Sequence, residues 1–196
     1  DYLPSAKRTT QLVRLVALVC TFVACVSGAR AWDHPGHMIT AAIAFEEIKR
    51  ERPDVIEKIG LILMKHPDSA PFWVMAGDAR GEERARRMFI EAARWPDDAK
   101  GTVHDRNTWH TARWPIVAED APPEVKAAAE ARRNSSAGHA LEAAVLTFAM
   151  LKDTETSVTE RASALSWLLH IVGDIHQPLH VSDRYSKEFP DGNGAG

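Results

Sequence analysis

His170 and Asp174 stand four residues apart in a run that is otherwise almost wholly apolar: Ala162, Leu165, Trp167, Leu168, Leu169, Ile171, Val172 and Ile175. Residues four apart share one face of a helix. A helix that is apolar on every side is buried, and a buried carboxylate without a partner is costly. No Lys or Arg occurs between Arg161 and Arg184 to supply one. The compensating charge must come from elsewhere in the fold or from a metal ion. An imidazole followed one helical turn later by a carboxylate is a natural pair of ligands for one ion. A core His hydrogen-bonded to a core Asp fits the same two residues, so the pair alone leaves both readings open.

The surroundings weigh toward metal. His176 and His180 follow at once in His176-Gln177-Pro178-Leu179-His180, and His34 and His37 lie near the other end of the chain. Asp97 and His110 fall in a stretch rich in Trp and Pro. Six of the nine His lie in these segments, leaving His66, His104 and His139 outside. A His/Asp cluster without Cys points to hydrolytic zinc more than to structural zinc.

The elements that must position these residues read as helices. Apolar spacing predicts helices over 38–50, 54–64, 82–95, 124–151 (broken near Asn134-Ser135-Ser136 and Gly138) and 159–175. The stretch 96–123 reads as an ordered long loop, a feature uncommon unless functional. No alternating strand pattern of useful length occurs. The expected fold is all-α: a single domain of long helices packed around a buried central one, with the zinc cluster in a cleft. Trp73, Trp114 and Trp167 read as core residues.

Residues 1–31 read as a secretory leader. Lys7, Arg8 and Arg14 precede an uncharged apolar run from Leu15 to Val26, and Ala29-Arg30-Ala31 is a small-x-small cleavage site. The run is too short for a membrane span, which needs about 20 residues. Cleavage after Ala31 makes Trp32 the first residue of the mature domain, 32–196, in the secreted or periplasmic space. It also removes both cysteines, so His, carboxylates or backbone must hold any metal. The net charge of −3 becomes −6, with 20 basic and 26 acidic residues left. That excludes a basic patch as the means of binding a polyanion. The start at Asp1 and the Gly-rich end read as those of a fragment.

Trp32-Asp33-His34-Pro35-Gly36-His37, Trp95-Pro96-Asp97, Trp109-His110 and the string His170-Ile171-Val172-Gly173-Asp174-Ile175-His176-Gln177-Pro178-Leu179-His180 occur in that order. Together they resemble the zinc-dependent single-strand-specific nucleases of the S1/P1 family, from Trp32 to about Ser182. The resemblance implies three zinc ions. Asp97, His110, His170 and Asp174 would hold the first. The α-amine and carbonyl oxygen of Trp32, His37 and a bridging Asp174 would hold the second. His180 would be one ligand of the third, whose other two ligands are expected beyond Gly196. Lys100 matches a basic position that helps neutralise the phosphoryl group. Asp97 and Asp174 would flank the attacking water. His34 and His176 are not ligands in this pattern. Where the family commonly carries an aromatic and an acid that help hold the base, this chain has Thr111, Ala112 and Arg113.

The implied activity is hydrolysis of single-stranded DNA and RNA to 5′-phosphonucleotides, together with removal of 3′-phosphates. Nucleic acid is the expected partner, with no stable protein partner and no membrane span. The rival reading is a zinc phospholipase C, which shares an N-terminal Trp ligand and a His-x-x-x-Asp pair. There the next His ligand lies further from the N-terminal Trp than His37 lies from Trp32.

Overall fold

Helical periodicity becomes helix nearly throughout. The computed structural model describes residues 33–133 and 138–194. The expected leader, Trp32 and the Asn134 segment lie outside the described residues. Within them are eight α-helices and two short strands, forming one mostly helical domain. In chain order these are α1 (His34–Glu51), α2 (Ile56–Leu63), α3 (Ala70–Ala76), α4 (Gly81–Asp98), β1 (Trp114–Val117), α5 (Pro123–Arg133), α6 (Ala140–Lys152), α7 (Val158–Asp174), α8 (Pro178–Val181) and β2 (Ser182–Tyr185). Short 3-10 turns occur at Pro53–Val55 and Asn107–His110. No described helix is long and apolar enough to cross a membrane.

Local chemistry sets the helix ends. Pro35 sits in the first turn of α1, where a missing N–H costs nothing. Glu82 and Glu83 open α4 at the positive end of its dipole. A reciprocal cap starts α7: the Glu160 N–H donates to Ser157 Oγ, and the Ser157 N–H donates to the Glu160 carboxylate.

Helix α4 is the hub, with α1, α2, α3 and α7 packed against it. Its Met88, Phe89, Ala92 and Ala93 join Phe45, Leu63, Phe72 and Ile171 in one buried core. Burying each large apolar side chain contributes about 1.5–3 kcal/mol. Helix α2 approaches α4 closely through Gly60, where a Cβ would stand 3.0 Å from that of Ala85.

Several expectations need correction. The expected central helix is α4, and the burial expected all round the helix bearing His170 is only partial. Helix α7 buries one face, and Val172 on its other side is 43% exposed. An apolar run records what a helix can bury, not how much its neighbours cover. Helix α4 also continues through Pro96 to Asp98, so Asp97 lies on a helix and not in a loop. Pro96 forfeits a single backbone bond near the helix end, and its ring is buried. The supposed long loop holds a 3-10 turn and β1, which pairs in parallel with β2, Trp114 opposite Ser182. Trp167 is core, whereas Trp73 and Trp114 are exposed. The guanidinium of Arg133 lies 5.3 Å from the centre of the Trp114 ring.

His66 carries a pH dependence. It is 3% exposed, stacked on Phe72 and edge-on to Trp95, with Nδ1 against the backbone of Asp68. Burial lowers its pKa from 6.5 to about 4. The unfolded chain therefore takes up a proton that the fold refuses. Stability is fully present above about pH 6.5 and is lost as pH falls toward 4. The largest loss is about 3 kcal/mol, since each tenfold drop in proton affinity is worth about 1.4 kcal/mol. Urea unfolding at several pH values should show a shallower dependence for His66→Phe than for the parent. Equal slopes would mean that His66 protonates freely in the fold.

Candidate metal centre

Five chain segments deliver side chains to one point. The last two turns of α7 supply His170 and Asp174, and the last turn of α4 supplies Asp97. The first turn of α1 supplies His37, the 3-10 turn after α4 supplies His110, and the short α8 supplies His180. Asp174 is at the centre. Its Oδ2 lies 3.1 Å from His170 Nε2 and 3.3 Å from His110 Nδ1. Its Oδ1 lies 3.3 Å from His37 Nε2 and 3.4 Å from His180 Nε2. Four imidazoles thus face the two oxygens of one buried carboxylate.

These contacts have hydrogen-bonding distances without hydrogen-bonding alignment. Neither oxygen of Asp174 has a hydrogen-bond partner. Burial alone would raise the Asp174 pKa, but His110, His170 and His37 outweigh it and hold the carboxyl well below its ordinary range. Asp174 is thus a buried anion held in its charged form by several imidazoles at once.

The distances fit a shared ion. Asp97 Oδ1 lies 3.9 Å from both His110 Nδ1 and His170 Nε2. His110 Nδ1 and His170 Nε2 are 2.8 Å apart. Ligand atoms about 2.0–2.1 Å from a tetrahedral zinc stand roughly 3.3–3.4 Å from one another. Observed separations among Asp97, His110, His170 and Asp174 run from 2.8 to 3.9 Å and bracket that value. His37, Asp97 and His170 form a second group compact enough to hold an ion.

The supporting contacts are also those a metal ligand needs. His170 Nδ1 is 2.8 Å from the Ala93 carbonyl, to which it donates. That bond turns the lone pair of Nε2 into the cluster. Burial lowers the pKa of His170, which favours the neutral ring that can ligate. His37 stacks on His170 with ring centres 3.7 Å apart, and Trp167 lies edge-on to His110. Gly173 leaves room for this stack, since a Cβ there would stand 3.0 Å from His37 Nδ1. The Ala93 carbonyl has no signature in sequence. A glycine inside a helix between two candidate ligands is a readable sign of close approach.

The centre opens to solvent beside Asp97 and His180, whose side chains are 14% and 16% exposed. Lys100 is at this opening, its Nζ donating to Asp97 Oδ1 at 2.8 Å. Burial pushes the Asp97 pKa up, but Lys100 and the His170 and His110 imidazoles more than offset it, leaving it below the ordinary value. His34 and His176 do not join the cluster. His34 pairs with Asp98 at 3.3 Å, and His176 Nδ1 lies 2.7 Å from the Val172 carbonyl at the surface. Of the seven expected ligands, six meet here, and Trp32 is outside the described residues.

A family model described as S1/P1 Nuclease matches residues 32–194. No curated protein and no solved structure gives a match.

Proposed function

Since the chain belongs to the S1/P1 nuclease family, we propose that it is a secreted zinc-dependent endonuclease. It hydrolyses single-stranded DNA and RNA to 5′-phosphonucleotides and removes 3′-phosphates. The observation that carries the metal reading is the buried Asp174 carboxylate, faced by four imidazoles on its two oxygens.

Asp97, His110, His170 and Asp174 would hold a first zinc. Asp174 and His37, with the amine and carbonyl of Trp32, would hold a second, and His180 would contribute to a third. Bound there, zinc supplies positive charge for a phosphodiester and lowers the pKa of water toward about 7. The remaining roles belong to the chain itself. His170 is fixed by Ala93 and keeps its orientation through turnover. Asp97 is the more open carboxylate and stays ionised, so it can orient an attacking water and take up its proton. Lys100 reaches the opening from solvent and can partly neutralise the phosphoryl oxygens. A chain with a net charge of −6 after Ala31 has no basic field to draw a polyanion in. Attraction must therefore be local, at this opening.

The direct test follows release of acid-soluble nucleotides from single-stranded DNA by the mature protein, with and without a zinc chelator. Release that the chelator abolishes and added zinc restores is the expected result. No release from zinc-loaded protein would overturn the assignment and make a choline phospholipid the next substrate.

A further inference from the structure

We infer that the Arg113–Asp183 ion pair is a positioning device for this centre, fixing the register between the segments that carry His110 and His180. The inference rests on the metal reading of those two imidazoles. Each partner of the pair stands three residues beyond one of them, Arg113 after His110 and Asp183 after His180.

The two segments run side by side. The Ala112 N–H donates to the His180 carbonyl at 2.9 Å, and β1 then pairs in parallel with β2, with Pro115 opposite Asp183. Their imidazoles reach opposite oxygens of Asp174, at 3.3 and 3.4 Å. A slip of one residue along a strand moves it about 3.3 Å, a full contact distance. Such a slip would take one imidazole out of reach. Two strands of four residues hold their own register weakly.

The ion pair supplies what the ladder lacks. Asp183 is fully buried. Its Oδ2 accepts from Nε and Nη2 of Arg113, at 3.2 and 2.9 Å. Its Oδ1 accepts from the Gly194 N–H at 2.8 Å. Both oxygens of this carboxylate are thus engaged, from two sides. The loop closes over it because residue 192 is glycine: a Cβ there would fall 2.7–2.8 Å from the carboxylate atoms. Arg113 itself has φ 54°, the one positive φ among described non-glycine residues. A bulky residue takes that conformation only where its surroundings impose it.

The test uses the double variant Arg113→Gly with Asp183→Asn in the mature protein. Glycine suits the left-handed backbone, and Asn retains an acceptor for Gly194 without leaving a lone buried charge. Zinc affinity is read by chelator competition, coordination by the visible spectrum of the cobalt-loaded protein, and fold by circular dichroism and melting without metal. The expected result is a folded protein that binds zinc at least tenfold more weakly and keeps fewer ions per chain on dialysis. Its cobalt spectrum should also be altered. A folded double variant with parental zinc affinity and spectrum overturns the inference while leaving the metal reading intact. A parent that binds no zinc overturns both. If the double variant does not fold, Arg113→Lys keeps the charge but loses the fork. Several-fold weaker zinc binding is expected of it, and unchanged binding overturns the inference.

Discussion

An Asp174→Asn protein is expected to fold, to lose its bound zinc and to lose nuclease activity by roughly a thousandfold or more. Asn has nearly the volume of Asp, so the packing around α7 should survive. What changes is the number of anionic oxygens. In the parent, Oδ2 faces His110 and His170 while Oδ1 faces His37 and His180. An amide offers one oxygen and no charge, so at most one side keeps a ligand. Loss of partners that merely orient a ligand costs about 10–100-fold in metal affinity or activity. Loss of a bridging ligand should exceed that, and each factor of ten in rate corresponds to about 1.4 kcal/mol. Metal analysis after dialysis and hydrolysis of single-stranded DNA measure the two effects. A variant with full zinc and full rate would remove Asp174 from the centre.

The second large effect concerns the start of the mature chain. If Trp32 gives its α-amine to the second zinc, any residue left before it turns that amine into an amide. An amide nitrogen has no lone pair available for a metal. His37 and Asp174 would then be left to hold the ion, with Asp97 Oδ2 3.9 Å from His37 Nε2 as the nearest further oxygen. Protein carrying a single extra Ala before Trp32 is expected to bind one zinc fewer and to lose most of its activity. Protein processed after Ala31 should regain both. The comparison needs only two preparations and an N-terminal sequence of each. Equal zinc and equal rates would show that the amine is not a ligand.

The ligands are legible where type and spacing both carry information. His170 and Asp174 pair on sequence grounds because a helix puts positions four apart on one face, and because nothing else in that run is charged. Asp97 can be named but not placed. Pro96 reads as a helix stop, yet the hub helix absorbs it at its end, where one missing bond costs little. Helix α3 leaves no trace in the pattern because seven residues give too few turns for periodicity to register. The exposure of Trp73 and Trp114 is hidden for a different reason. Aromatic character records a preference for cover, whereas cover depends on which neighbours arrive. Arg113 and Asp183 are 70 residues apart, and only a parallel pairing that no local pattern announces brings them together.

Two helices, α4 and α7, finish at the cluster, with Asp97 and Asp174 in their last turns. The C-terminal end of a helix carries roughly half a negative charge from its aligned peptides. The backbone thus adds to the charge of the two carboxylates, at the place where a phosphodiester must dock. A polyanion meeting the metal-free site would face repulsion from side chains and main chain together. On the proposed function, assembly would then have an order, with the cations arriving before nucleic acid. Scarcity of metal would then appear as a failure to bind substrate, before any question of cleaving it arises.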